Sequence, residues 1–317
     1  MHPDQLDRDT VLGLCRVAAM IEANGRPRGR PLAGSIAITA FFEASTRTRL
    51  SFESAVVRLG GGVLSVPDGK VTGVAKGESL ADIGEMFTGY GDVVIVRHPD
   101  PTSVEEICES AGIPVINAGN GTAHHPTQAL ADWYALLKWR PDLALDDCPD
   151  ESRIHLVVFG SPSTMRAVNS FLWLASRFGS ALRRITVASL FADPFDEDLR
   201  AELETAGIDL ELTDDPASVV ADADVLYMNA IVPVTDGFVT QDDAVTVSAS
   251  SGLRPGAVVM HPLARGAELD EDLDDTAQNL YFAQAAGAVF IREALLLGIL
   301  GDHEAVASAC APIRRTT

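Results

Sequence analysis

The sequence predicts an α/β protein built as two doubly wound parallel-sheet domains, with the active site in the crevice between them. Apolar runs of strand length recur at 36–42, 93–97, 114–119, 155–160, 185–190, 225–229 and 257–262. The stretches separating most of them carry helical spacing, as at Leu50–Leu59, Ser79–Tyr90, Thr127–Trp139 and Met165–Phe178. Short buried strands alternating with helices imply parallel sheets covered on both faces. The chain has 317 residues, 47% of them hydrophobic, enough for one large core or, better, two of about 150 residues each.

In chain order, an opening helix (Val11, Leu12, Leu14, Cys15, Val17, Ala18, Ile21) precedes the strand IAITAFF, and the next two apolar runs follow with their helices. The segment RPDLALDDCPDES (140–152) is rich in Pro and Asp and poor in apolar residues, so it reads as a boundary. The domains expected are 1–140 and 150–286, with a last helix at 287–305 packing back on the first. Trp133 and Trp139 read as packing.

Charge narrows the function. Lys+Arg 24 against Asp+Glu 45 gives a net charge of -21, which repels nucleic-acid backbones, so an anion needs a local basic pocket. Cys15, Cys108, Cys148 and Cys310 form no CxxC and read as reduced cytosolic thiols. The N-terminus lacks a basic segment followed by an apolar run, and AAGAVFIREALLLGIL is interrupted by Arg292 and Glu293. A cytoplasmic protein without signal or membrane span is expected. Lysine occurs only at 70, 76 and 138, two of them in one loop.

The stretch EASTRTRLSFE (43–53) directly follows the first strand. Ligands bind where a parallel strand turns into a helix, and the helix's first turn presents unpaired N–H groups. Ser45, Thr46, Arg47 and Thr48 at such a turn suit a phosphate. The competing reading makes Ser45 or Thr46 an N-cap and leaves the arginines solvated or bridged to Glu43 and Glu53. No GxxxxGK[ST] is present, and Gly60-Gly61-Gly62 follows a helix instead of opening one, so no nucleotide cofactor is expected. Two later stretches repeat the strand-end logic: Arg97-His98-Pro99, and His124-His125-Pro126-Thr127-Gln128. Pro126 suits a first helical position, with Gln128 pointing from the first turn into the same crevice. The paired histidines lack Cys or carboxylate partners at ligand spacing, so no metal is expected. Together these groups suggest a small, doubly bonded anionic substrate held by arginines and a neutral imidazole.

These stretches resemble the transcarbamylase family, more closely its aspartate branch than its ornithine branch. The matches are F-x-x-STRTRLSFE at 42–53, KGESLADI at 76–83, VRHP at 96–99, INAG-x-G-x-x-x-HPTQALAD at 116–132, MRAVNSF at 165–171, MHPLARG at 260–266 and YFAQAAGAVFIREALL at 281–296. The resemblance implies a carbamoyltransferase whose first domain binds carbamoyl phosphate and whose second binds the acceptor. Ser45, Thr46, Arg47 and Thr48 match the phosphate contacts. Thr48, Arg97 and His125 match the donors to the carbonyl oxygen, whose developing charge they stabilise. Gln128 and the backbone at Pro262 and Leu263 match the groups holding the carbamoyl NH2. Thr72 matches the serine of a loop whose lysine, here Lys76, reaches a neighbouring subunit, so a homotrimer is implied. Ala75 replaces the more N-terminal lysine of that loop.

Other departures concern the acceptor. Arg166 matches the arginine that binds one carboxylate of aspartate, and Glu43 the acidic residue that helps position it. The arginine that grips the second carboxylate is replaced by Ala230, in the run Tyr227-Met228-Asn229-Ala230, and the following VTDGFVTQDDA contains no arginine. An unpaired carboxylate in a closed site is costly. The expected acceptor is therefore an amine or amino acid other than aspartate, received by Asn229, Ala230 and the acidic Asp236, Asp242 and Asp243. The alternative is an ordinary aspartate carbamoyltransferase of pyrimidine synthesis with Arg265 on the second carboxylate. A catalytically silent homologue that only binds carbamoyl phosphate is the third reading. The family's cis Leu-Pro bond falls at Leu263-Ala264, where the sequence leaves cis and trans open.

Overall fold

Ile36–Phe41 forms β1, buried over all but its first residue, as a central parallel strand must be. It lies between β2 (Gly62–Val66) and β3 (Val93–His98), and β4 (Val115–Asn120) completes an all-parallel sheet of order β2-β1-β3-β4. With the helices α1 (Arg8–Asn24), α2 (Thr46–Arg58), α3 (Leu80–Tyr90) and α4 (Ser103–Ser110), it makes the first of two α/β units. Ser79 starts α3 by accepting from the Asp82 N–H, a standard N-cap. One face of the sheet packs Ile38, Ala40, Val94 and Val96 against Ile83, Phe87, Val104 and Ile107, each large side chain contributing about 1.5–3 kcal/mol.

The second unit is built on β5 (Ile154–Phe159), buried throughout. Its parallel sheet runs β11-β8-β5-β6-β7, with β6 at Leu182–Ala188, β7 at Leu210–Thr213, β8 at Val225–Tyr227 and β11 at Val258–Met260. A short antiparallel pair, β9 (Pro233–Val234) and β10 (Gly237–Phe238), lies outside that sheet. The helices are α5 (Pro126–Trp139), α6 (Arg166–Ala175) and α7 (Glu197–Thr205). Almost every residue of α5 is buried, which is why it is apolar nearly all round. Trp133 stacks on Phe178 and Phe171 on Tyr227, with centroids 4.3 and 4.2 Å apart. On another part of the core, Val157, Leu226, Met228 and Val259 meet Leu269, Leu273 and Tyr281.

The computed structural model describes residues 3–25, 29–189, 191–229, 233–234, 237–238 and 246–301. Backbone contacts gather Asp9–Gly121 with Ala288 onward into the first unit, and Pro3–Arg8 with Thr122–Gly287 into the second. Thus α5 groups with the second unit, where it packs on α6. The last helix, α8 (Tyr281–Leu300), contributes to both. In the first unit its Arg292 lies 4.9 Å over the Phe52 ring of α2 and donates to the Ser51 hydroxyl. Among the described residues α8 is the one helix long and apolar enough to cross a membrane, and 56% of that stretch is buried; Arg292 and Glu293 are themselves buried.

Besides the short pair β9 and β10, two strands of the main sheets differ from the sequence expectation by being present at all. β2 and β7 are edge strands, exposed along much of their length, so they carry no continuous apolar run. The predominantly polar α7 was missed for the same reason. The Leu263-Ala264 bond is cis, and Leu263 has φ 55.

Candidate active site

In the first unit, β1 and β3 are adjacent, so their C-terminal ends deliver two motifs together. Phe42 N–H donates to the Arg97 carbonyl at 2.8 Å, and Arg97 Nη2 meets Glu43 Oε1 at 3.0 Å. Ser45 is the residue before α2, in extended conformation, but its hydroxyl makes no capping hydrogen bond. The first turn of α2 carries no acidic side chain. Its N–H groups and positive dipole end therefore carry no built-in anion.

The two arginines of this stretch part company. Arg49 Nη1 lies 3.3 Å from Ser65 Oγ and 3.9 Å from Glu53. Glu53 in turn accepts from Thr39 and Ser65 at 2.9 and 2.6 Å, tying α2 to β1 and β2. For Arg49 the bridged reading holds. Arg47 is exposed, and its side chain has no partner among the described residues. Thr46 is exposed and Thr48 buried. Thr72 closes a turn by donating to the Gly69 carbonyl at 2.6 Å, and Lys76 is exposed in the same loop.

In the second unit, His125 precedes α5 and Pro126 takes its first position. The His125 N–H donates to Ser170 Oγ at 2.8 Å, and His124 Nδ1 sits 3.2 Å from Asn169 Oδ1. Both partners lie on α6, which begins at Arg166, so the histidine pair and Arg166 are set by adjoining helix starts. His125 is buried, with Nδ1 3.4 Å from the Thr127 hydroxyl. Gln128 Nε2 donates to Asp132 Oδ1 at 2.7 Å.

The loop after β11 is held rigidly. Leu263 N–H donates to His261 Nδ1 at 2.8 Å, and His261 Nε2 lies 2.8 Å from Glu268 Oε1. Since Nδ1 accepts, the ring is neutral and its proton sits on Nε2, directed at Glu268. Burial pushes Glu268 upward, but hydrogen bonds from His261 and the Gly266 N–H outweigh it and leave its pKa below the usual value. This fixes the backbone around Pro262 and Leu263.

Arg265 is committed elsewhere. Its Nη2 donates to Asp274 Oδ2 at 2.8 Å, Nη1 reaches Asp274 Oδ1, and the Tyr281 hydroxyl joins the same carboxylate. These bonds, Arg265's first and Tyr281's second, bring Asp274 down to about 2 and raise Arg265. A guanidinium with both ends of its fork on one carboxylate is poorly placed to take another. Asn229 is half-buried just after β8, while Ala230, Asp236, Asp242 and Asp243 lie outside the described residues. Among the described residues no group of three or more His, Cys, Asp or Glu side chains is placed to hold a metal ion. Sequence reasoning missed Ser170, Glu268, Gln284 and Asp132, which hold the motif residues in place; Asp132 lies four residues after Gln128, a spacing that was legible.

Residues 1–138 match the family model described as the carbamoyl-P binding domain of aspartate/ornithine carbamoyltransferase, and residues 152–299 its Asp/Orn binding domain. The chain is 33% identical over 302 residues to the aspartate carbamoyltransferase catalytic subunit of Methanothrix thermoacetophila, covering 93% of this chain and 95% of that one. It is 36% identical over 279 residues to the same subunit of Thermoplasma acidophilum, covering 86% and 87%. The crystal structure of aspartate transcarbamoylase from Trypanosoma cruzi with carbamoyl aspartate and phosphate superposes with a TM-score of 0.82 at 29% identity, covering 94% of each chain. These findings overturn the expectation of an acceptor other than aspartate, and nothing in them supports an altered acceptor-binding loop. Ala230 alone does not define the acceptor, because the chain as a whole matches aspartate enzymes.

Proposed function

Because the chain belongs to the aspartate/ornithine carbamoyltransferase family, it is a carbamoyltransferase with carbamoyl phosphate as donor, and we propose that its acceptor is the amino group of aspartate. The observation that carries the reading is the start of α2, where Arg47 and the first-turn N–H groups stand without a side-chain cap or a carboxylate. The aspartate enzymes it resembles over most of their length support the choice of acceptor.

Ser45, Thr46, Arg47 and Thr48 hold the phosphate; Thr48, Arg97 and His125 face the carbonyl oxygen. Gln128 and the carbonyls of Pro262 and Leu263 take the NH2, and Arg166 takes one carboxylate of aspartate, with Glu43 restraining Arg97. The unprotonated amine attacks the carbonyl carbon, forming the C–N bond while charge gathers on the oxygen. The C–O bond to phosphate then breaks, the electron pair leaves with phosphate, and the surplus nitrogen proton follows it. Orientation and oxyanion stabilisation are sufficient, and no covalent enzyme intermediate is needed. The same reading makes 1–140 the carbamoyl phosphate domain, in line with the family match at 1–138 although α5 packs with the second unit, and 150–286 the aspartate domain, in a cytoplasmic homotrimer with Lys76 serving a neighbouring copy. It includes neither nucleic-acid nor membrane partners.

The test is direct detection of ureido product from carbamoyl phosphate with aspartate, alongside ornithine, 2,3-diaminopropionate, β-alanine and putrescine. Carbamoyl aspartate as the main product is expected. Product from another amine and none from aspartate would overturn the acceptor assignment.

A further inference from the structure

Asp132 is fully buried in the middle of α5, where a carboxylate is costly unless its oxygens are satisfied. Its Oδ1 accepts from Gln128 Nε2 at 2.7 Å and from Gln284 Nε2 at 2.6 Å, and its Oδ2 from the Tyr227 hydroxyl at 2.8 Å. An ionised carboxylate only accepts, so both glutamine amides must turn their NH2 toward it. For Gln284 this leaves Oε1 to accept from the His261 N–H, at 3.0 Å. For Gln128 it leaves Oε1 as the acceptor turned away from Asp132.

We propose that Asp132 is a positioning residue for carbamoyl transfer: it fixes which end of the Gln128 amide faces the substrate and, through Gln284, anchors the loop carrying Pro262 and Leu263. The proposal rests on the reading of Gln128 and that loop as the grip on the carbamoyl NH2. That NH2 is a donor, so only the oxygen of Gln128 complements it. A freely turning amide spends part of its time presenting a second donor. One carboxylate thereby orders two segments far apart in sequence, and Tyr227 ties it to the end of β8. A merely structural carboxylate would be indifferent to which end of Gln128 points outward.

A double-mutant cycle read by kcat, KM and melting temperature separates these roles. Asp132→Leu, similar in volume but without an acceptor, is expected to lower kcat/KM for carbamoyl phosphate about 10- to 100-fold. Added to Gln128→Ala it should cost only the roughly three- to fivefold carried by the Gln284 branch, while the melting temperature still falls in both backgrounds. Asp132→Asn, whose oxygen can still accept from both amides with its NH2 turned to the Tyr227 oxygen, should recover activity to within about fivefold of the parent. Full additivity of the kinetic losses, or an Asn variant as poor as Leu, overturns the proposal. A Gln128→Ala variant with parental kinetics instead overturns the reading of Gln128 beneath it. Should Asp132→Leu not fold, Gln284→Met tests the network from its other end. A loss of at least about threefold in kcat/KM for carbamoyl phosphate with aspartate KM retained supports it, and unchanged kinetics overturns it.

Discussion

Replacing Arg47 by Ala should destroy catalysis and spare the fold, while the same change two residues on should spare both. Arg47 is exposed with no side-chain partner among the described residues, so its truncation removes nothing the unliganded protein uses, and stability should stay within about 0.5 kcal/mol of the parent. Against a bound phosphate it offers two charge-assisted hydrogen bonds, worth roughly 1.5–3 kcal/mol each. Their loss, about 3–6 kcal/mol, is about 10²- to 10⁴-fold in kcat/KM. Arg49, with Ser65 at 3.3 Å and Glu53 at 3.9 Å, is an i,i+4 surface partner worth about 0.3–0.5 kcal/mol, and its Ala variant should keep near-parental activity. The assay is steady-state formation of carbamoyl aspartate with purified variants, each also melted thermally. The reasoning fails if Arg47→Ala unfolds markedly earlier than the parent, or if both variants lose activity equally.

Arg265→Ala should leave the KM for aspartate within about twofold, because that guanidinium is already bound to Asp274; a steep KM rise would restore it as a carboxylate grip. Asp274 has a folded pKa of about 2 against an ordinary value of 3.8, first through Arg265 and then Tyr281. A depressed carboxylate contributes stability that is present above 3.8 and is lost as pH falls toward about 2. Denaturant unfolding across that window should show a shallower acid limb for Asp274→Asn than for the parent. Mixing inactive Arg47→Ala and Lys76→Ala subunits under exchanging conditions should regain part of the parental activity; no recovery in mixed assemblies argues that Lys76 serves its own copy.

What the sequence revealed and concealed follows from where each residue gets its meaning. STRTR and HPTQ were legible because a short run at a strand end fixes both backbone turn and side-chain chemistry, and the structure does place Ser45 before α2 and Pro126 at the start of α5. The central strands β1 and β5 announced themselves by continuous burial. The edge strands β2 and β7 are half-exposed and lack that signal. Arg265 looked available because an ion pair with Asp274, nine residues away, is a tertiary fact without a motif. Ala230 alone points away from aspartate, whereas MRAVNSF and MHPLARG match the aspartate branch over longer stretches of the chain. Asp132 was visible as the last residue of HPTQALAD, but its buried partners Tyr227 and Gln284 come from distant segments.

The placement of α8 bears on how the chain acquires activity during synthesis. Helix α2, whose first turn is read as the phosphate site, is braced by Arg292 through Phe52 and Ser51, yet Thr122–Gly287 is made in between and gathers into the second unit. At ordinary elongation rates the nascent first unit waits roughly 10–30 s for that brace. The ribosome thus completes Thr122–Gly287 before Arg292 is available to brace α2.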